Sequence, residues 1–163
     1  MIWLLRDIDL LTVLLRGATL ALEALLLGGV AYLLAAALPA KASVAVKDLC
    51  RRGIRMAALA LVAGEVALVS ASAALLMSGS DLTLKDVTTT SFFRAYSFAI
   101  LFATGLWICA RLKSSTATVA MFPLSLLLLA STVSISHAAA RIDRKSTRLN
   151  SSHRSLSRMP SSA

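Results

Sequence analysis

The stretch LLTVLLRGATLALEALLLGGVAYLLAAAL, residues Leu10–Leu38, carries only two charged residues, Arg16 and Glu23. A helix needs about 20 predominantly apolar residues to cross the hydrocarbon core of a bilayer. Three more runs of comparable character follow it: Met56–Met77, Phe92–Ala110 and Val119–Ala140. Because a chain in lipid must satisfy its backbone hydrogen bonds internally, these runs predict helices. The sequence therefore predicts an all-α, polytopic membrane bundle with four transmembrane helices.

Composition supports this class and argues against several others. Charged residues make up 15% of the chain, whereas soluble domains carry about 25%. The basic residues flank the predicted spans instead of covering a soluble domain, so we expect no nucleic-acid binding. The chain has no Gly-rich phosphate loop, no Cys-x-x-Cys and no His-Glu-x-x-His, so we expect no enzyme. Cys50 and Cys109 are expected to be unpaired thiols.

The charges of the predicted loops predict how the chain is oriented in the membrane. The loops Pro39–Arg55 and Arg111–Thr118 are basic, with net charges of +4 and +2, whereas Ser78–Ser91 has a net charge of −1. Basic loops stay on the cytoplasmic side of a membrane. We therefore predict that the N-terminus lies outside. Arg94, Tyr96 and Trp107 are predicted interfacial anchors on the same principle.

The last 21 residues, DRKSTRLNSSHRSLSRMPSSA from Asp143, differ from the rest of the chain. Their five basic residues outnumber the single acid, and no apolar period runs through them, so we predict a disordered basic tail over 143–163. The segment resembles translated sequencing-adapter read-through, which implies that it is artefactual. The transmembrane domain then comprises 1–142. The alternative is a genuine tail that binds anionic lipid headgroups.

Small residues recur every three or four positions in the first two spans. We call these sets the α1 stripe and the α2 stripe. The α1 stripe is Gly17, Ala21, Ala24, Gly28, Ala31 and Ala35, and the α2 stripe is Ala57, Ala60, Gly64, Ala67, Ala71 and Ala74. Small residues let helix backbones approach closely in lipid. We therefore predict an antiparallel pair of helices that meet along the two stripes.

Glu23 and Glu65 are the acidic residues of these two spans, and placing them in lipid is energetically unfavourable. A carboxylate in mid-bilayer costs on the order of 3 kcal/mol. One hypothesis makes the two glutamates stops for a cation or proton on a path through the bundle. The other makes each a protonated side chain that hydrogen-bonds a neighbouring helix. If the stripes face each other, the carboxylates fall on opposite flanks, and we expect no shared proton.

His137 and Met77 are the candidate metal ligands. Both end predicted spans on the outer side, and His137 follows Ser131 and Ser134 along one helix face. Imidazole suits copper, and thioether sulfur favours Cu(I), so the pair could begin a copper-receiving site. The alternative is an interfacial histidine and a gap-filling methionine. Four more sulfur-containing residues fall at the predicted inner face: Cys50, Met56, Cys109 and Met121. The favoured interpretation is that these soft residues only fill space in the helix packing, which we call the filler interpretation.

Three stretches resemble the copper resistance protein D family of bacterial inner-membrane proteins. They are LLRGATLALEALLLGGVAYLL (Leu14–Leu34), DVTTTSFFRAYSFAILF (Asp86–Phe102) and SLLLLASTVSISHAAA (Ser125–Ala140). The last is similar to the family's apolar run that closes on Gly-His-Ala, with Ser136 in place of the glycine. The resemblance covers residues 1–142 and corresponds to the N-terminal half of the family.

The resemblance implies copper handling or transport at the bacterial cytoplasmic membrane, with His137 as a copper ligand. It also implies about eight spans. The expected partners are membrane lipid, a periplasmic copper-binding protein and the missing C-terminal half of the chain itself. The alternative function is a membrane subunit or anchor that binds no metal and packs on a partner through its small-residue helix faces. A b-type cytochrome subunit is disfavoured, because only one histidine lies within the predicted spans.

Overall fold

In the part of the chain that the computed structural model describes, all regular secondary structure is helical. The structure describes the backbone of residues 2–37, 43–79 and 83–156, and the side chains of 10–35, 43–78 and 83–135. The helices are α1 (Ile2–Ala37), α2 (Val44–Gly79), α3 (Leu84–Thr89), α4 (Ser91–Arg111) and α5 (Ser115–Leu156). Four of them contain segments long and apolar enough to cross a membrane: Leu10–Ala35, Val44–Ser78, Ser91–Arg111 and Ser115–Ile135. The predicted all-α architecture with four spans is confirmed.

The four long helices form a ring. In the described part of the chain, α2 contacts α1 and α4, and α5 contacts α4 and, less extensively, α1. The helix pairs α1–α4 and α2–α5 lie diagonally across the bundle, with no close approach of their backbones among the described residues. Short connections make consecutive long helices antiparallel. The bundle therefore has an Arg94 end, where α4 begins, and an Arg51 end, where α2 begins.

Helix α2 starts well before the apolar run that predicts it. It begins at Val44, and the Ser43 hydroxyl accepts a hydrogen bond from the backbone N–H of Val46 at 3.4 Å. Most of the predicted first loop is therefore helical. At this end Arg51 donates to the Leu112 carbonyl and, at 2.5 Å, to Thr118 Oγ1. These bonds tie the connection between α4 and α5 to α2.

The core is built from one face of each helix. Its members recur at three- and four-residue spacings, as expected for a helix with one buried face. On α1 and α2 the apolar members are Leu26, Val30, Leu33, Ile54, Ala58, Leu61 and Leu68. Many other large apolar side chains remain exposed, among them Leu14, Leu25 and Leu101. Such an apolar exterior suits a bundle whose solvent is lipid.

The predicted pairing of the two stripes is wrong. All six residues of the α1 stripe are exposed, and a Cβ added at Gly28 would meet nothing within 4 Å. The close approaches of α1 and α2 are at Gly29, where a Cβ would lie 2.9 Å from Ile54 Cγ1, and at Gly64, where it would lie 2.8 Å from Thr19 Cγ2. The physical reason is Glu23: a carboxylate costs less inside the bundle than against lipid, and its burial turns the stripe outward.

Helix α5 continues beyond the start of the predicted tail. Its backbone is helical to Leu156, and residues 157–163 lie outside the described part. An isolated helix without an apolar face has only marginal stability in water. The disorder predicted for 143–163 stays a prediction.

Candidate intramembrane carboxylate site

Polar side chains from all four long helices meet inside the bundle near its Arg94 end. They line a cavity of about 10 Å³, which we call the carboxylate cavity. The polar members are Arg16, Thr19, Glu23, Glu65, Tyr96 and Thr132. Apolar side chains close the rest of the wall, including Leu68 and Ile135. A cavity of this size has room for about one water molecule or one dehydrated ion.

Glu23 is held by a hydrogen bond from the neighbouring helix α5. Its side chain is buried on α1, and its Oε1 accepts a hydrogen bond from Thr132 Oγ1 of α5 at 2.6 Å. The Leu128 carbonyl lies farther from the same hydroxyl, at 3.2 Å. Glu23 is thus anchored, and the bond ties α1 to α5 where these two helices have few other contacts.

Glu65 is buried without such an anchor. Only 3% of the residue is exposed, and Oε2 has no hydrogen-bond partner among the described residues. Leaving a buried polar group unsatisfied costs about 1–3 kcal/mol, and more for a charged group. Buried polar groups without a partner are rare in native proteins and call for an explanation. A bound water, proton or cation in the carboxylate cavity would supply one.

The two carboxylates share this cavity, so the expectation that they lie on opposite flanks is wrong. That expectation depended on the stripes facing each other, and the α1 stripe faces outward. Like charges close together in a bundle interior repel each other, and a nearby positive charge lowers their energy. Arg16 lines the same cavity and supplies one such charge. When both carboxylates are ionised, one guanidinium leaves a net charge of −1 in the cavity, which a bound proton or other cation would neutralise.

Sequence reasoning missed four members of the site: Arg16, Thr19, Tyr96 and Thr132. The expectation that Tyr96 is an interfacial anchor is wrong, because only 3% of it is exposed. It lies in the second turn of α4, about 8 Å along the helix from Ser91. A signal for part of the set was present in the sequence, since Arg16, Thr19 and Glu23 recur at three- and four-residue spacings along α1.

Of the two predicted metal ligands, Met77 does not line this cavity. Met77 is 44% exposed near the end of α2. The backbone of His137 is helical, on α5, and its side chain lies outside the described residues. Within the described part of the chain, the backbones of α2 and α5 do not approach each other closely. No group of three or more His, Cys, Asp or Glu side chains there could hold a metal ion. The copper site at His137 and Met77 stays a prediction.

Three of the four soft residues predicted at the inner face belong to the core or pack against it, namely Cys50, Cys109 and Met121. Met56 is 60% exposed, whereas Met121 is fully buried in the core. Cys50 donates from Sγ to the Gly29 carbonyl at 3.5 Å, and Cys109 is a half-buried free thiol. The filler interpretation of these four residues stays a prediction.

Comparison of the chain with protein-family models, with curated proteins and with solved structures gives no match.

Proposed function

We propose that this multi-pass membrane protein binds a cation between Glu23 and Glu65 and passes it across the membrane. The observation that carries the proposal is the buried Oε2 of Glu65, which has no partner among the described residues and lies in a cavity shared with a second carboxylate. Ionisable side chains buried in a membrane bundle usually mark ion or proton pathways. No catalytic step is proposed.

The ligand atoms that line the carboxylate cavity indicate which cation it would bind. Apart from the cationic Arg16, its polar side chains offer only carboxyl and hydroxyl oxygen atoms. Oxygen donors suit protons and hard cations, whereas Cu(I) prefers thioether and thiolate sulfur. The cavity by itself therefore favours a proton.

Copper as cargo depends on the sequence resemblance. In that proposal the protein lies in the bacterial cytoplasmic membrane with its N-terminus outside. His137 and Met77 would receive the ion there, and Glu23 and Glu65 would be the next stops on its route. The Arg94 end, where the cavity lies, would then be the outer end, so the proposed order of sites along the path is self-consistent.

Flux through the reconstituted protein tests the proposal. The full chain is placed in liposomes that contain either a pH-sensitive dye or a copper-sensitive dye, and uptake is followed after a proton or copper gradient is applied. The Glu65→Gln variant keeps the shape of the side chain and removes its charge. We expect at least a tenfold loss of uptake, since a site without its charged group loses several kcal/mol of cation binding.

Asp86→Asn is the matched control, because Asp86 is exposed on α3, outside the carboxylate cavity, and accepts hydrogen bonds from Thr83. It should leave uptake unchanged. Proton uptake without copper uptake would remove copper as the cargo and retain the cation function. If neither ion moves through the wild-type protein, the proposed function is wrong.

A second candidate function is a membrane subunit that packs on a partner helix. The exposed α1 stripe favours this function, because its six small residues align along one helix face and leave a flat surface on the outside of the bundle. A cation site is not needed for that role.

A further inference from the structure

A groove of about 460 Å³ runs along the outside of the bundle between α4 and α5, away from the carboxylate cavity. From α4 it is lined by Ser91, Arg94, Ala95, Phe98 and Phe102. We propose that this groove binds an anionic glycerophospholipid, with the phosphate at Arg94 and one acyl chain along the phenylalanines.

The length of the groove fits one leaflet of a bilayer. From Ser91 to Phe102 it extends about 17 Å along α4, at 1.5 Å per residue. The hydrocarbon core is roughly 30 Å thick, so the groove reaches about to its middle. It begins at the first residue of α4, where a headgroup lies when the helix spans the membrane.

The walls of the groove suit an acyl chain. Phe98 and Phe102 stack with their ring centroids 6.1 Å apart and their planes 14° from parallel, which forms a flat apolar wall. On the α5 side, the Ser131 and Ser134 hydroxyls donate to their own helix, to the carbonyls of Leu127 and Ala130. These serines therefore present no unmet donor to the groove.

The charge at the open end suits a phosphate. The Arg94 side chain is exposed. The ion pair found among the described residues joins Lys113 to Asp48 at the other end of the bundle, so no described acid neutralises Arg94. A guanidinium binds phosphate oxygens bidentately. An arginine without an ion-pair partner among the described residues, above an apolar groove, complements a lipid that has a net negative headgroup.

Lipid binding to the purified full chain tests the proposal. Dissociation constants are measured by native mass spectrometry for phosphatidylglycerol and for phosphatidylcholine with the same acyl chains. We expect the wild-type protein to prefer phosphatidylglycerol about fivefold, the usual contribution of one basic residue near the membrane surface. Arg94→Gln should reduce this ratio to about one.

Two further variants distinguish lipid binding in the groove from attraction of the lipid to positive surface charge in general. Lys85→Gln removes an exposed basic residue at the same end, on α3 and outside the groove, and should keep the preference. Ala130→Phe fills the groove from α5 and should abolish the preference while Arg94 remains. The ratio compares two lipids on one variant, so a general loss of stability does not imitate the effect. The proposal is overturned if Arg94→Gln or Ala130→Phe keeps the preference, or if Lys85→Gln loses it equally.

Discussion

Replacing Glu65 with Leu is expected to raise the free energy of unfolding by about 1–3 kcal/mol and to abolish cation uptake. The gain follows because the substitution removes a buried oxygen that has no hydrogen-bond partner among the described residues, and such a group costs about that much. Leucine is similar in size and meets Leu68 and Ile135 in the cavity wall. Unfolding in mixed micelles measures the stability, and the liposome assay measures uptake.

The opposite signs of these two effects distinguish a functional residue from a structural one. A glutamate that held the helices together would destabilise the bundle when lost. Leu61→Ala is the control for sensitivity: Leu61 is fully buried on the same face of α2, and its truncation should cost about 2–5 kcal/mol. Loss of stability in Glu65→Leu by more than about 1 kcal/mol would contradict the account, because it would reveal a partner for Oε2.

Replacing Gly64 with Leu is expected to destabilise the bundle by about 1–3 kcal/mol, the usual cost of overpacking a close contact. A Cβ at this position would lie 2.8 Å from Thr19 Cγ2. Thr19 cannot turn away freely, because its hydroxyl donates to the Arg16 carbonyl at 2.9 Å and a β-branched side chain has few rotamers in a helix. The expected result is separation of α1 from α2 and a lower unfolding free energy.

Gly28→Leu is the matched control. A Cβ at Gly28 meets nothing within 4 Å, so the isolated bundle should lose little stability. If the stripes met as the sequence alone predicts, Gly28→Leu would be the damaging change instead. The same variant informs on the second candidate function: a partner that packs on the α1 stripe would be released by Gly28→Leu, whereas cation uptake by the bundle alone would be unaffected.

The architecture could be predicted from the sequence because it depends on local composition. Four apolar runs of sufficient length can only be helices in lipid, and the structure places a long helix over each of them. The start of α2 at Val44 was not predictable from hydropathy, since the basic residues before Met56 lie on a helix that extends beyond the apolar run.

The candidate site was predictable only in part. The cost of a buried carboxylate singles out Glu23 and Glu65 from sequence. The rotation of α1 about its axis could not be predicted, because the α1 stripe and the face with Thr19 and Glu23 have the same helical period. Which face turns inward depends on contacts with other helices. The bond from Thr132 to Glu23 joins residues 109 positions apart, and no local pattern shows such a contact.

Cross-linking of positions 23 and 65 tests the meeting of the two carboxylates most directly. Cysteines are introduced by Glu23→Cys and Glu65→Cys in a protein whose native Cys50 and Cys109 have been replaced by serine. A short bis-methanethiosulfonate reagent, which forms one disulfide with each thiol and releases methanesulfinate, is added in membranes. The account predicts rapid cross-linking of this pair and none when Ala24→Cys replaces Glu23→Cys, because Ala24 faces outward. Cross-linking from position 24 and not from position 23 would contradict it.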